Sequence, residues 1–370
     1  MSVMTVKGPR VRDFTGAERS LDVMLAYGEA TETLLAMFVY GAGKADPLAY
    51  DCGEAWFGRV EVDVSPDARE TVGLLGECGE VWLALLGEAI GLEAPRSLAG
   101  LVGRLREQDP VALRATLLRA VWESGKRPAT PEQLAAAAAG DLIAFDDLAE
   151  LTGRPASGMR ALVEMTAERA ASLVVSAVEA FGAVVESEVI AVLAQDARRV
   201  DGLAATMDPP ALVERLTNGI TFELQPDVTG VVLVPSVVVS PWVTLTEHGS
   251  YRVFSYGVTD DPGADPDAPP ARLIEIYKAL GDEKRLRILG ELAGGPLGLA
   301  QVTERVELAK STVHHHLRIL RTAGLVRVTV FGDHDKAYSL RGDTVPEAAR
   351  ILEGYLGRRA ADGHDEEGRS

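Results

Sequence analysis

Residues 280–341 read LGDEKRLRILGELAGGPLGLAQVTERVELAKSTVHHHLRILRTAGLVRVTVFGDHDKAYSLR, and the order of elements in this stretch decides the fold of the C-terminal part. Asp282 is placed to cap a helix over 283–293, and Gly294 and Gly295 end it. Leu286, Leu289 and Leu292 are expected on its buried face. A second short helix covers 299–306, with apolar spacing at Leu299, Val302 and Val306. Glu307–Ala309 makes a tight turn. A third helix then runs from Lys310 to Ala323, and Gly324 stops it.

The third helix has two chemically distinct faces. Val313, His316, Leu317 and Leu320 recur at i, i+3, i+4 and i+7, the spacing of a buried stripe. The other face holds Lys310, Ser311, Thr312, His314, His315, Arg318 and Arg321, with no carboxylate among them. A solvated surface helix normally mixes charge signs. A face of donors without acids suits phosphate oxygens and the acceptor edges of bases. The free N–H groups of the first turn add to that preference. Residues 325–341 then read as strand, tight turn and strand, centred on Gly332–Asp335. Helix, helix, turn, helix and two-stranded wing is the winged helix-turn-helix order, in which the third helix enters the major groove.

The segments ALGDEKRLRIL, STVHHHLRILRTAGLV and KAYSL resemble the ArsR-type winged-helix regulators. The resemblance implies that Lys310, Ser311, Thr312, His314, His315 and Arg318 contact DNA, with His334 and Lys336 on a wing that touches the backbone. It also implies a homodimer. The amphipathic stretch VPEAARILEGYLGRR (345–359), with Val345, Ala348, Ala349, Leu352, Tyr355 and Leu356 on one stripe, resembles that family's C-terminal dimerisation helix. Three departures matter. The helix before the recognition helix, within GLAQVTERV, has no Cys or His, so the family's paired-cysteine metal site is not expected. Ala309 stands where a serine would cap better. Asp333 and Asp335 at the wing tip weaken attraction to phosphate.

The whole chain of 370 residues carries a net charge of −18, which argues against nucleic acid until its distribution is read. Residues 271–342 hold 12 Lys and Arg against 8 Asp and Glu, leaving 25 and 47 for everything else. Basic charge is concentrated in one segment, and the acidic remainder is expected to face away from DNA. Two cysteines, Cys52 and Cys78, cannot form a disulfide framework, which fits a reducing cytoplasm. Residues 1–15 contain Lys7, Arg10, Arg12 and Asp13 and no apolar run, so no signal peptide is expected. No stretch is apolar and long enough to span a membrane.

The segment TDDPGADPDAPPAR (259–272) is rich in Pro and Asp and reads as an exposed linker. The expected organisation is an N-terminal domain over 1–258, a linker over 259–270, the winged helix-turn-helix over 271–342, a dimerisation helix over 343–360 and a frayed tail over 361–370. The fold class is α+β and mainly helical: an N-terminal helical domain with an antiparallel sheet, then the C-terminal winged helix. Helix candidates are LDVMLAYGEATETLLAMFVYG (21–41), PVALRATLLRAVWESG (110–125) and one long helix or two over 158–196. The AAAAA run at 135–139 favours helix. ITFELQ (220–225), GVVLVPSVVVS (230–240) and YRVFSYGV (251–258) read as strands. The pair LVPSVVVSPWV and YRVFSYGV resembles an uncharacterised domain found ahead of such winged helices in actinobacterial-type regulators.

The function expected is a sequence-specific DNA-binding transcriptional regulator, a repressor, reading double-stranded DNA with helix 310–323. The size of the N-terminal domain suggests control by a small-molecule effector. The alternative is an interaction module whose winged helix docks a protein partner. A third reading, a regulatory enzyme, has only the size of residues 1–258 behind it. No nucleophile–base pair, phosphate loop or dinucleotide fingerprint stands out, so no enzyme activity, cofactor or membrane partner is expected. His314, His315 and His316 point about 100° apart around a helix and cannot converge on one metal ion. Cys52 and Cys78 read as small apolar groups rather than a redox pair. Trp56, Trp82, Trp122 and Trp242 either pack the core or line a pocket.

Overall fold

The computed structural model describes residues 11–12, 18–19, 21–76, 81–122, 129–152, 157–222, 228–258, 269, 271–330, 336–341, 345–346, 348–350, 352–353 and 355–356. Cys78, His334, Asp333, Asp335, most of the 259–270 linker and the 361–370 tail lie outside them. Internal contacts divide the chain into two units. One comprises Met1–Thr206 and Thr229–Thr259, the other Met207–Val228 and Asp260–Ser370.

The first unit is built around the helix Glu29–Gly43. Its sequence, EATETLLAMFVYGAG, is buried on nearly all sides: Ala30, Leu34, Leu35, Met37, Val39 and Tyr40 are all out of solvent, and so are Thr31, Glu32 and Thr33 of its first turns. Small residues set its closest neighbour: a Cβ on Gly76 of helix Pro66–Gly76 would sit 2.9 Å from Gly41 Cα. Helix Ala167–Phe181 starts at Thr166, whose hydroxyl accepts from Arg169 N at 3.3 Å. It buries Ala170, Val174, Val178 and Phe181, and the Phe181 ring meets Tyr40 edge-on at 5.5 Å. Trp56, Trp82 and Trp122 are core residues, and Trp242 is partly buried against the same core.

Several local expectations shift. The 21–41 stretch begins as a strand, Asp22–Leu25, before its helix starts at Glu29. The 110–125 helix is Pro110–Trp122, with Leu113, Leu117, Leu118 and Val121 buried and Val111 outside. The 158–196 stretch lies in three helices, Ser157–Glu164, Ala167–Phe181 and Ser187–Ala204. The alanine run forms the end of helix Pro131–Ala138, with Ala139 as its C-cap, and a reciprocal Thr130–Gln133 cap opens the helix.

The sheet of this unit is mixed rather than antiparallel. Its order is Asp22–Leu25, Gly230–Ser236, Tyr251–Gly257, Val243–His248. The first two pairings are parallel, with Leu25 opposite Leu233 and Val234 opposite Ser255, and the last is an antiparallel hairpin. The reason is the connection. Strand Val243–His248 sits outside Tyr251–Gly257, so the chain leaving Ser236 crosses over before it returns parallel. Every residue of Gly230–Ser236 is buried, the continuous apolar run of a strand covered on both faces.

The second unit contains helices Ala271–Leu280, Glu283–Leu292, Leu299–Val306 and Lys310–Thr322 and strands Leu297–Gly298, Val326–Val330 and Lys336–Leu340. Ile276, Ile288, Leu292, Val302, Val313, Leu317, Leu320 and Val326 form its core. Leu286, expected inside, is 50% exposed, and Ile288 takes the buried place. The inward stripe is Arg285, Ile288, Leu289 and Leu292. Arg285 turns in because its guanidinium donates to the Ala279 and Lys278 carbonyls at 2.7 and 2.8 Å. The described residues between Val345 and Leu356 are helical, with Ala348 buried and Val345 and Leu356 exposed.

The strand expected over 220–225 does not join the first sheet. Ile220–Phe222 pairs parallel with Val326–Val330, giving the order Ile220–Phe222, Val326–Val330, Lys336–Leu340, Leu297–Gly298. With helix Pro209–Leu216 it belongs to the second unit, although it precedes three strands of the first. Among the described residues, no helix is long and apolar enough to cross a membrane.

Candidate nucleic-acid interface

The recognition helix is held from below by the preceding two helices. Asp282 Oδ1 accepts from Arg285 N at 3.0 Å and starts the first. Gln301 Oε1 accepts from Gly298 N at 2.9 Å and starts the second. Glu307, left-handed at φ 54°, turns the chain into Lys310. Ala309 supplies no side-chain cap, as its chemistry requires. The C-terminus is closed by a Schellman motif. Gly324, at φ 64°, donates to Arg321 O at 2.7 Å, and Leu325 donates to Leu320 O at 2.8 Å.

Val313, His316, Leu317 and Leu320 form the buried face. Lys310, Ser311, His314 and His315 are exposed, and Thr312 and Arg318 are half-buried. Arg318 Nη2 donates to His315 Nδ1 at 3.0 Å, so these two side chains are held together on the outer face. Arg321 departs from expectation: it is only 9% exposed, in electrostatic contact with Tyr338, and burial lowers its pKa to about 10. The spacing carried this signal, because Arg321 continues the buried row Val313, Leu317 in steps of four.

Lys336 is exposed at the start of the second wing strand, opposite Val330. Partial desolvation lowers the pKa of His314 although the residue is largely exposed, and the positive charges of Lys336, Arg318 and His315 lower it further. Wing and recognition helix therefore present one positive region. The buried His316 is also held below its ordinary value, first by desolvation. No cluster of three or more His, Cys, Asp or Glu able to hold a metal ion occurs among the described residues. Burial pushes the half-buried Cys52 thiol up to about 11, which disfavours the reactive thiolate.

Local sequence reading missed a set of supporting residues. Asn218 Nδ2 donates to Thr322 O at 2.5 Å and to Arg321 O at 3.3 Å, and Arg327 donates to Glu214 Oε1 from Nε at 2.8 Å and Nη2 at 2.5 Å. The Asn-Gly pair 218–219 marked a turn, but nothing in its neighbourhood named its partners.

Two helices, a left-handed turn, an outward-facing third helix and a wing define a winged-helix reader of nucleic acid. The family described as "Bacterial regulatory protein, arsR family" matches residues 282–328, from the cap of the first helix into the first wing strand. An uncharacterized HTH-type transcriptional regulator of Methanocaldococcus jannaschii is 34% identical over 80 residues, 21% of this chain and 89% of that relative. The uncharacterized HTH-type transcriptional regulator YceK of Bacillus subtilis is 40% identical over 72 residues, 19% of this chain and 71% of the relative. The transcriptional repressor SdpR of the same organism is 28% identical over 87 residues, 22% of this chain and 91% of the relative. Through this domain the chain belongs to the ArsR family of bacterial regulatory proteins, and it is a DNA-binding transcriptional regulator.

Proposed function

We propose that the protein is a sequence-specific repressor that reads the major groove with helix Lys310–Thr322. The observation that carries this reading is the acid-free outer face: Lys310, Ser311, His314 and His315 exposed, with Thr312 and Arg318 beside them. In this reading Arg318 and the two histidines meet base edges, and Lys310, Ser311 and Thr312, on an uncapped first turn, meet phosphate. Lys336, at the start of the second wing strand, serves the backbone. Arg321 packs the helix in place rather than touching DNA. The repressor assignment is supported by a relative named as one.

The functional form is a homodimer. Ile274 and Tyr277 on helix Ala271–Leu280, and Val345 and Leu356 beyond the wing, are exposed apolar side chains that a second copy would cover. Control is assigned to a ligand of the N-terminal unit. A groove of about 290 Å³ there is lined by the apolar Leu74, Leu162 and Met165 and by the charged Asp67, Glu70 and Arg169, which suits a small molecule with an apolar body and a polar end.

The test is titration of the full-length chain against operator DNA selected from a random pool, at stated salt. Arg318→Ala should cost about 1–3 kcal/mol at the selected site, and Lys310→Ala should lower the salt slope by about 1. Absence of wild-type binding at low salt would sink the reading. A reporter driven from the selected site gives the sign of regulation.

A further inference from the structure

We propose that Asn218 and Glu214 are positioning residues of the DNA reader, although they lie well upstream of the residues the family accounts for. The inference rests on the DNA-reading role argued above. The Schellman motif satisfies the carbonyls of Leu320 and Arg321 but leaves that of Thr322 without a main-chain partner from the motif. Asn218 supplies the donor, from 104 positions away, at 2.5 Å. It reaches this carbonyl because it is left-handed, at φ 53°, and is followed by Gly219 at φ 100°. That turn reverses the chain directly after helix Pro209–Leu216. A Cβ on Gly219 would lie 3.2 Å from Val326 O, so only glycine lets the turn lie this close to the wing strand.

The same segment grips the wing. Gly219 O accepts from Val328 N at 2.8 Å, the Thr221 and Thr329 hydroxyls are 2.9 Å apart, and Glu214 holds Arg327 through one oxygen. Arg341, just after the second wing strand, donates to Asn218 Oδ1 at 3.3 Å and approaches Glu214 to 4.0 Å. One Asn amide thus joins the end of the recognition helix to the end of the wing. DNA reading requires both to meet the duplex at once, so their relation decides affinity.

The test uses the full-length chain with Asn218→Gly, which keeps the left-handed turn and removes the amide, and Glu214→Gln, which keeps the shape and removes the charge. Hydrogen exchange is followed in peptides over 319–330 and 283–292. Affinity for the selected operator and for unrelated DNA is measured after active-fraction titration. Exchange over 319–330 should rise about tenfold with 283–292 unchanged, and the ratio of operator to unrelated binding should fall about fivefold per active molecule. Wild-type exchange rates in both variants overturn the proposal whatever DNA does. Faster exchange with an unchanged binding ratio also overturns it, because the contacts would then be structural only. A wild-type chain that binds no DNA removes the reading of the preceding section, and the exchange result still decides whether the helix end and wing are held from this segment.

Discussion

Tyr256 donates its hydroxyl hydrogen to Asp196 Oδ2 at 2.6 Å, tying strand Tyr251–Gly257 to helix Ser187–Ala204 with both side chains out of solvent. Arg199 holds the other carboxylate oxygen from Nε at 2.8 Å, so the buried charge is paired at one oxygen and hydrogen-bonded at the other. Burial and the Asp196 charge push the tyrosine pKa up, which keeps the hydroxyl a donor at all working pH values.

Tyr256→Phe should therefore destabilise the first unit by about 1.5–3 kcal/mol, the range for a hydrogen bond to a charged group. The measurement is chemical denaturation followed by tryptophan fluorescence, since the four tryptophans all lie in this unit. A midpoint equal to wild type would show that the bond contributes nothing net.

Glu32 gives a pH dependence with a definite sign. Its carboxylate lies inside the first unit, where Oε1 accepts from Val237 N at 3.0 Å and Val238 N at 3.3 Å. Desolvation raises its pKa from 4.5 to about 7, against the lowering by Ser236 and these two amides. The folded state thus binds more protons than the unfolded state between these values. Stability should be fullest below 4.5 for this group and fall as pH rises through 7. Glu32→Gln can keep the acceptor oxygen and should flatten the fall. Denaturation midpoints from pH 5 to 8 check this (~pH range in which the group titrates), and equal slopes in both proteins would refute it.

His314 supplies a second pH effect on binding. In the free chain its pKa is depressed below 6.5 by partial desolvation and by neighbouring cations. The negative potential of the duplex favours the imidazolium even where the ring reaches a base edge, so binding takes up a proton, and affinity should rise as pH falls between the bound and free values. Stability should move the opposite way and fall as pH drops below 6.5, because the unfolded histidine protonates first. His314→Gln should remove the affinity trend and only part of the stability trend, since the depressed His316 keeps its share. Gel shifts across pH at constant salt decide it; an unchanged trend in the variant places the linkage elsewhere.

The C-terminal reader is legible in local residue patterns. Caps, glycine stops and the i, i+3, i+4, i+7 stripe are local signals, and they placed helix Lys310–Thr322 within a residue of its end and assigned His316 inward. Arg321 and Leu286 lie where two helical rows share a boundary: the step of four from Val313 and Leu317 turns Arg321 inward, while only the Arg285 bond to the Ala279 carbonyl decides that Leu286 faces out. Strand pairing was the part that local pattern could not carry. A strand's residues show that it is buried and say nothing of which neighbour it takes, so the parallel order of the first sheet and the transfer of Ile220–Phe222 to the wing came only from the tertiary structure. The same holds for Asn218 and Thr322, whose bond joins residues 104 positions apart: the donor and the open carbonyl are each visible in the sequence, and only the fold brings them within reach.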